Sequence, residues 1–299
     1  MSNGLAALEN LPVDERLVGL VALVDEALSK SETVGNDVVQ AMVGAVLGGQ
    51  GSTQARVALG DALGRAGDPR VRRPSDDAYW VSMTSDLGDP LVIGAYPVTN
   101  AEFQAWVDSG GYDNRAVWSD EGWAWLQSTE DAWPVLSKSH APEVQGANQP
   151  VVSVTFYEAD AYATAHGSRL IRTDERLWVV RGEERRPYPW GAPFGEGHAN
   201  TREEAVGRAS AVGMFTGDQT PEGVYDLAGN VAEWTGDDEV DYVDFDAVDE
   251  GEEPPIRNCR TIHPGAWNQP ALAAWAKAKA LVVPESRWTA LGFRLARDA

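Results

Sequence analysis

The sequence predicts an α+β protein with a small N-terminal helical region, on three observations. Apolar residues recur at helical spacing through about the first 73 residues. Beyond a polar, proline-containing stretch from Arg70 to Asp77, short strand-like pieces alternate with short helices and with many Gly and Pro breaks. The chain also holds 12 tryptophans and 30 glycines. Trp buries a large area and Gly supplies tight turns, a combination that suits irregular, loop-rich β architecture.

The elements follow in order. Leu17, Leu20, Val21, Val24 and Leu28 step by three and four and predict a first helix. A second apolar stretch, Val38 to Leu47, stops at Gly48-Gly49, and a third from Thr53 stops at Gly67 before Asp68-Pro69. Residues 1–75 are therefore read as a helical module without chemistry, suited to packing or to oligomerisation. Residues 76–299 form the second domain. Tyr79 to Met83 and Leu91 to Val98 predict strands, and Thr99-Asn-Ala-Glu102 has capping-box spacing ahead of Phe103, Trp106 and Val107. Asn148 to Thr155 predicts a further strand, and Tyr157 to His166 a helix.

Composition excludes several classes of function. With 46 acidic and 24 basic residues the net charge is −22, which repels phosphate backbones and anionic membranes. No nucleic-acid partner and no membrane insertion are expected, since no apolar run approaches the ~20 residues of a span. A start without a basic region or an unbroken apolar run shows no signal peptide and gives a cytoplasmic expectation. The single cysteine, Cys259, excludes an intrachain disulfide and a cysteine zinc site. It reads as a small buried hydrophobe. Residues 237–253 hold ten acids and no base, the pattern of a solvated loop held extended by its own repulsion.

Six pieces occur in a telling order: Tyr96-Pro-Val-Thr-Asn-Ala-Glu-Phe, Gln149-Pro-Val-Val-Ser-Val-Thr-Phe-Tyr-Glu-Ala, Tyr188-Pro-Trp-Gly191, Ala199-Asn-Thr, Gly223-Val-Tyr-Asp-Leu-Ala-Gly-Asn-Val-Ala-Glu-Trp234, and Gly265-Ala-Trp267 with Gly292-Phe-Arg294. Together they resemble the formylglycine-generating enzyme and sulfatase-modifying-factor family over residues 76–299. The resemblance implies a C-type-lectin-like fold with mixed sheets, little regular structure and a working surface near the C-terminus.

It also implies where chemistry would sit. In the oxidases of that family two cysteines bind copper(I), and the matching positions here, seven and twelve residues after Trp267, are Ala274 and Lys279. Neither side chain binds copper or does thiol chemistry, so no redox cofactor is expected. A second branch holds non-haem iron on three histidines, two of them from an N-terminal helical domain; residues 1–73 contain none, and His140, His166 and His198 are scattered. No Gly-x-Ser-x-Gly elbow and no glycine-rich phosphate loop are present. The family's calcium site maps onto Asp226, Gly229, Val231 and Glu233, two carboxylates and two backbone carbonyls suited to an oxygen-seeking ion. A structural Ca²⁺ is therefore an expectation from the resemblance.

The terminal segment, residues 265–294, has the framework Gly265-Ala-Trp267, Ala271, Pro284, Arg287 and Gly292-Phe-Arg294. That framework resembles variable proteins diversified by retroelements, in which residues between fixed positions make a ligand-binding face. The resemblance places Asn268, Gln269, Pro270, Leu272, Ala273, Ala278, Ala280, Leu281, Val282, Val283, Ser286, Trp288, Thr289 and Ala290 on that face. Trp275 and Lys277 fall off the pattern, although Trp275 is an anchor of the type that dominates interfaces and is counted with the face. The function expected is non-catalytic binding of a protein or other macromolecule, the alternative being an oxidative enzyme of the same family.

Overall fold

The structure is a computed structural model that describes residues 2–84, 90–129, 146–237, 240–243 and 256–298. His140 and most of the acidic stretch 237–253 lie outside the described residues.

Four helices open the chain: α1 Ser2–Leu8, α2 Val13–Ser29, α3 Asn36–Gly48 and α4 Thr53–Ala66. The predicted stops hold for local reasons. Gly49 closes α3 in the left-handed region at φ 61°, and the Ser52 hydroxyl caps α4 by accepting from Ala55 N–H. The apolar stripe of the helices, including Leu17, Val24, Met42, Leu59 and Leu63, buries itself against Ala211, Met214 and Phe215 of the second region. Buried polar contacts fasten the same junction. Asn148 Nδ2 donates to Gly60 O at 3.0 Å and to Asp68 at 2.8 Å, and Asp68 is ion-paired with Arg70. The helices are thus built into one core with the second region.

That second region has two small sheets. The first runs β1 (Trp80–Thr84), β2 (Pro90–Gly94), β9 (Leu295–Asp298), β3 (Arg169–Leu170), all antiparallel. The second has the order β5 (Val240–Val243), β6 (Ile256–His263), β4 (Ala232–Trp234), β8 (Leu291–Phe293), with β7 (Ala280–Val282) also on β6. The β4–β8 pair is parallel, bringing Glu233 opposite Gly292 and Trp234 opposite Phe293. Helices α5 (Asn100–Asp108), α6 (Asp120–Ser128), α7 (Phe156–Ala165) and α8 (Thr173–Arg181) surround the sheets. The capping box predicted at Thr99 and Glu102 is formed, and Thr155 with Glu158 makes another at α7. This is the α+β, C-type-lectin-like arrangement that the motif order implies.

One expected strand is not a strand. Asn148 to Thr155 is buried but pairs irregularly: Val151 N–H reaches Val98 O, while Ser153, at φ 59°, donates to Trp288 O and Leu291 O. Its hydrogen bonds go to three different segments, so no ladder forms, although every alternate residue looks β-like in sequence.

Candidate functional site: the terminal binding face

The Gly223–Trp234 stretch is the hub from which the terminal segment hangs. Asp226 and Asn230 both take positive φ, 56° and 69°, conformations that short polar side chains tolerate. Asn230 locks the turn: its Oδ1 accepts from Ser210 N–H at 2.8 Å, its Nδ2 donates to Ser210 O, and its own N–H reaches Asn200 O. Asp218 closes the other side, its carboxylate accepting the N–H groups of Leu227, Ala228 and Gly229 at 2.9 to 3.1 Å. Burial and the neighbouring Asp226 push the Asp218 carboxyl up to about 7, and burial raises Asp226 to about 6.

The expected calcium ligands do not fit an ion in this arrangement. Glu233 is fully buried, with Oε1 2.7 Å from Arg294 Nε and Oε2 2.8 Å from Arg176 Nε. Asp226 Oδ2 instead accepts from Gly213 N–H at 2.8 Å, and Gly229 O accepts from Val231 N–H at 2.9 Å. A cation bound to Glu233 would face two guanidinium groups already satisfying that carboxylate. Gly292-Phe-Arg294 and α8 bring these two arginines to the Glu233 carboxylate. Arg176 and Asp218 carry this arrangement and were not singled out by sequence, because a lone Arg in an amphipathic helix and a lone Asp in a loop have no distinguishing spacing.

The hub holds the terminal segment through backbone and framework groups. Trp267 N–H donates to Asn230 O, Ala232 N–H to Ala290 O and Phe156 N–H to Pro284 O. Arg287 reaches Ser153 O at 2.7 Å and Glu158 at 2.8 Å. Two framework glycines are required by close approach: a Cβ on Gly265 would meet Ala228 O at 2.5 Å, and one on Gly292 would meet Val151 O at 2.4 Å.

Between these fixed points the side chains turn outward. Leu272 is 77% exposed, Trp275 42%, Leu281 42% and Trp288 43%, which makes four of the nine large exposed hydrophobics among the described residues part of one 17-residue stretch. Asn268 and Thr289 are exposed too, and Gln269, Pro270, Ala273, Ala278, Ala280, Val283 and Ser286 are partly exposed. Val282 and Ala290 are corrections. Both are 4% exposed and belong to the central core, Val282 because β7 alternates inward there, Ala290 because its carbonyl enters the β4 junction. Trp275, off the expected pattern, is outward and stacks near Lys277, whose Nζ lies 5.9 Å from its ring.

Of the two copper-cysteine positions, Ala274 is buried at 1% exposure and Lys279 is exposed. Cys259 is buried on β6, as expected of a small hydrophobe. Among the described residues no group of three or more His, Cys, Asp or Glu side chains is arranged to hold a metal. His263 is buried at the inner edge of the segment, hydrogen-bonded to Trp275 O at 3.1 Å and accepting from Gly265 N–H. Burial and the Arg176 charge hold it neutral, well below its ordinary range.

A family model for the sulfatase-modifying factor enzyme 1-like domain matches residues 46–299, and the chain belongs to that family. It is 36% identical over 156 residues to a hercynine oxygenase of Mycolicibacterium thermoresistibile, covering 48% of this chain and 34% of the relative. It is 30% identical over 185 residues to a formylglycine-generating enzyme of Thermomonospora curvata, covering 50% of this chain and 60% of the relative. The chain therefore spans about a third of the length of the hercynine oxygenase. Among solved structures, Treponema denticola variable protein 1 aligns with TM-score 0.49 at 18% identity, covering 74% of this chain and 95% of that one. No helix among the described residues is long and apolar enough to cross a membrane.

Proposed function

We propose that the chain is a non-catalytic binding protein that presents residues 268–290 to a macromolecular ligand, with retroelement diversification as the source of variety on that face. The observation that carries the reading is the outward cluster of Leu272, Trp275, Leu281 and Trp288 on a segment held from behind by backbone and framework contacts. Large aromatic anchors with small and polar neighbours are the usual composition of adaptable paratopes. The side chains that define the face are not those that hold the fold, so they are free to differ.

The test replaces Leu272, Trp275, Leu281 and Trp288 together by serine. A binding face predicts an unchanged circular dichroism spectrum and a melting temperature within a few degrees of the parent, because exposed apolar positions cost little. Loss of folding would place these residues in the core and contradict the reading.

The identity to hercynine oxygenases favours a second reading, an oxidative enzyme with another substrate. Reconstitution with copper or iron and an oxygen-consumption assay on a cysteine peptide distinguishes the two. Metal-dependent turnover supports the enzyme; its absence in protein shown to be folded supports the binding protein.

A further inference from the structure

A cavity of about 200 Å³ opens beside the terminal face, with Arg176 and His263 at its floor, Leu177 and Ile262 in its walls, and Lys277 and Lys279 at its mouth. It is smaller than the ~300 Å³ at which drug-sized ligand sites begin. Its charge is uneven. Arg176 is paired with Glu233, a buried carboxylate that also holds the Arg294 guanidinium. Arg176 spends Nε on Glu233 and Nη2 on Leu227 O, but its Nη1, buried, has no hydrogen-bond partner. A buried donor left unmade is costly and calls for an acceptor. His263 adds none, since its two ring nitrogens are taken by Trp275 O and Gly265 N–H.

The mouth repeats the sign. Neither Lys277 nor Lys279 has an ion-pair partner among the described residues, in a chain of net charge −22. The other acids nearby are already engaged. Asp237 accepts from the Thr173 and Thr235 hydroxyls, Asp218 from the N–H groups of residues 227–229, and Asp226 from Gly213 N–H.

We propose that this cavity binds a carboxylate carrying a short apolar body, with the charge between Arg176 and the two lysines and the body against Leu177 and Ile262. The assignment rests on the reading of residues 268–290 as a binding face, and it names the chemistry that face captures: an acidic side chain or a chain-terminal carboxylate of the partner, or a free small acid. A singly charged, partly apolar group fits better than phosphate, because the floor offers one unmade donor and the walls are aliphatic.

The experiment uses the full chain and calorimetric or tryptophan-fluorescence titration with benzoate, its neutral counterpart benzamide, inorganic phosphate, and a short glutamate-containing peptide with blocked termini. Saturable benzoate binding, no benzamide binding, and a loss of about tenfold or more in affinity in a Lys277→Gln/Lys279→Gln double variant are expected, because the variant removes both positive charges at the mouth. Val18→Ser, at an exposed position of α2 outside both the face and the cavity, should leave benzoate affinity unchanged. Peptide binding with the same lysine dependence points to a partner's side chain as the source; lysine-dependent benzoate binding with no peptide binding points to a free acid, and both support the site. No saturable benzoate binding up to about 10 mM, equal affinity in the lysine double variant, or tighter binding of phosphate would overturn it. Because the probe is a small acid, this result stands apart from whether the outer face varies: failure here leaves the face intact, and an invariant face leaves the cavity intact.

Discussion

Arg294 Nε lies 2.7 Å from Glu233 Oε1 with both side chains fully buried, so the last framework motif of the chain is bolted to the Gly223–Trp234 hub by an ion pair shielded from water. Arg294 extends the bolt to Gly94 O and Tyr225 O, and Arg176 holds the other oxygen of the same carboxylate. The ion pair fixes the far end of the segment between Trp267 and Gly292, and the Trp267 N–H to Asn230 O bond fixes the near end.

Glu233→Gln leaves two buried guanidiniums facing a neutral amide. Breaking a buried pair by removing one partner costs about 3–5 kcal/mol, and that loss is expected in urea denaturation. A change below about 1 kcal/mol would show that the pair does not fasten the segment.

Calcium should not stabilise the wild-type protein through Glu233. We expect melting temperatures in EDTA and in millimolar calcium to coincide, because ligation would displace Arg176 and Arg294. A calcium-dependent rise that disappears in Asp226→Asn would restore the ion site expected from the sequence motif.

Two neighbours on β7 give opposite outcomes. Leu281→Ser, at a position 42% exposed, should change stability by less than about 0.5 kcal/mol, whereas Val282→Ser, at 4% exposure, should lose about 2 kcal/mol or more. Equal losses would mean that the strand does not present alternate faces.

Glu102 supplies a pH test. Burial raises its carboxyl from an ordinary 4.5 to about 7, against hydrogen bonds from Thr99 that pull it down. A carboxyl with a raised folded-state value binds its proton more tightly in the native state, so its stabilising protonated form is present at low pH and is lost as pH rises from about 4.5 through about 7. Glu102→Gln keeps a residue able to complete the capping box and does not titrate. The variant should therefore gain stability relative to the parent as pH rises from 5 to 8, at about 1.4 kcal/mol or more in total. A pH-independent difference would show that Glu102 does not titrate in this window.

Much of the fold was legible because its signals are local. Gly49 and Gly67 end helices where the apolar periodicity stops, and Thr99 with Glu102 caps α5 as spaced. The connector 148–155 was misread because its bonds are tertiary: Ser153 donates to residues more than 130 positions away, which no local pattern encodes. The site divides in the same way. The outward positions of Leu272, Leu281 and Trp288 follow the framework spacing, whereas Trp275 is outward against it, and Val282 and Ala290 could not be told from it, since inwardness there depends on how β7 and β4 meet. The calcium expectation at Asp226 and Glu233 came from the family resemblance, whereas the contacts of Glu233 with Arg176 and Arg294, 57 and 61 positions away, leave no local signal.

The most direct test of the central claim is the nucleotide sequence around the coding region. A diversified binding face predicts a reverse transcriptase nearby and a second, imperfect copy of the DNA for residues 265–294. Its mismatches should fall mainly at adenines and in codons of outward residues such as Asn268, Leu272, Leu281, Trp288 and Thr289, sparing buried Val282, Ala290 and Arg294. A locus with neither the copy nor the transcriptase, or mismatches concentrated in the buried codons, would contradict the account.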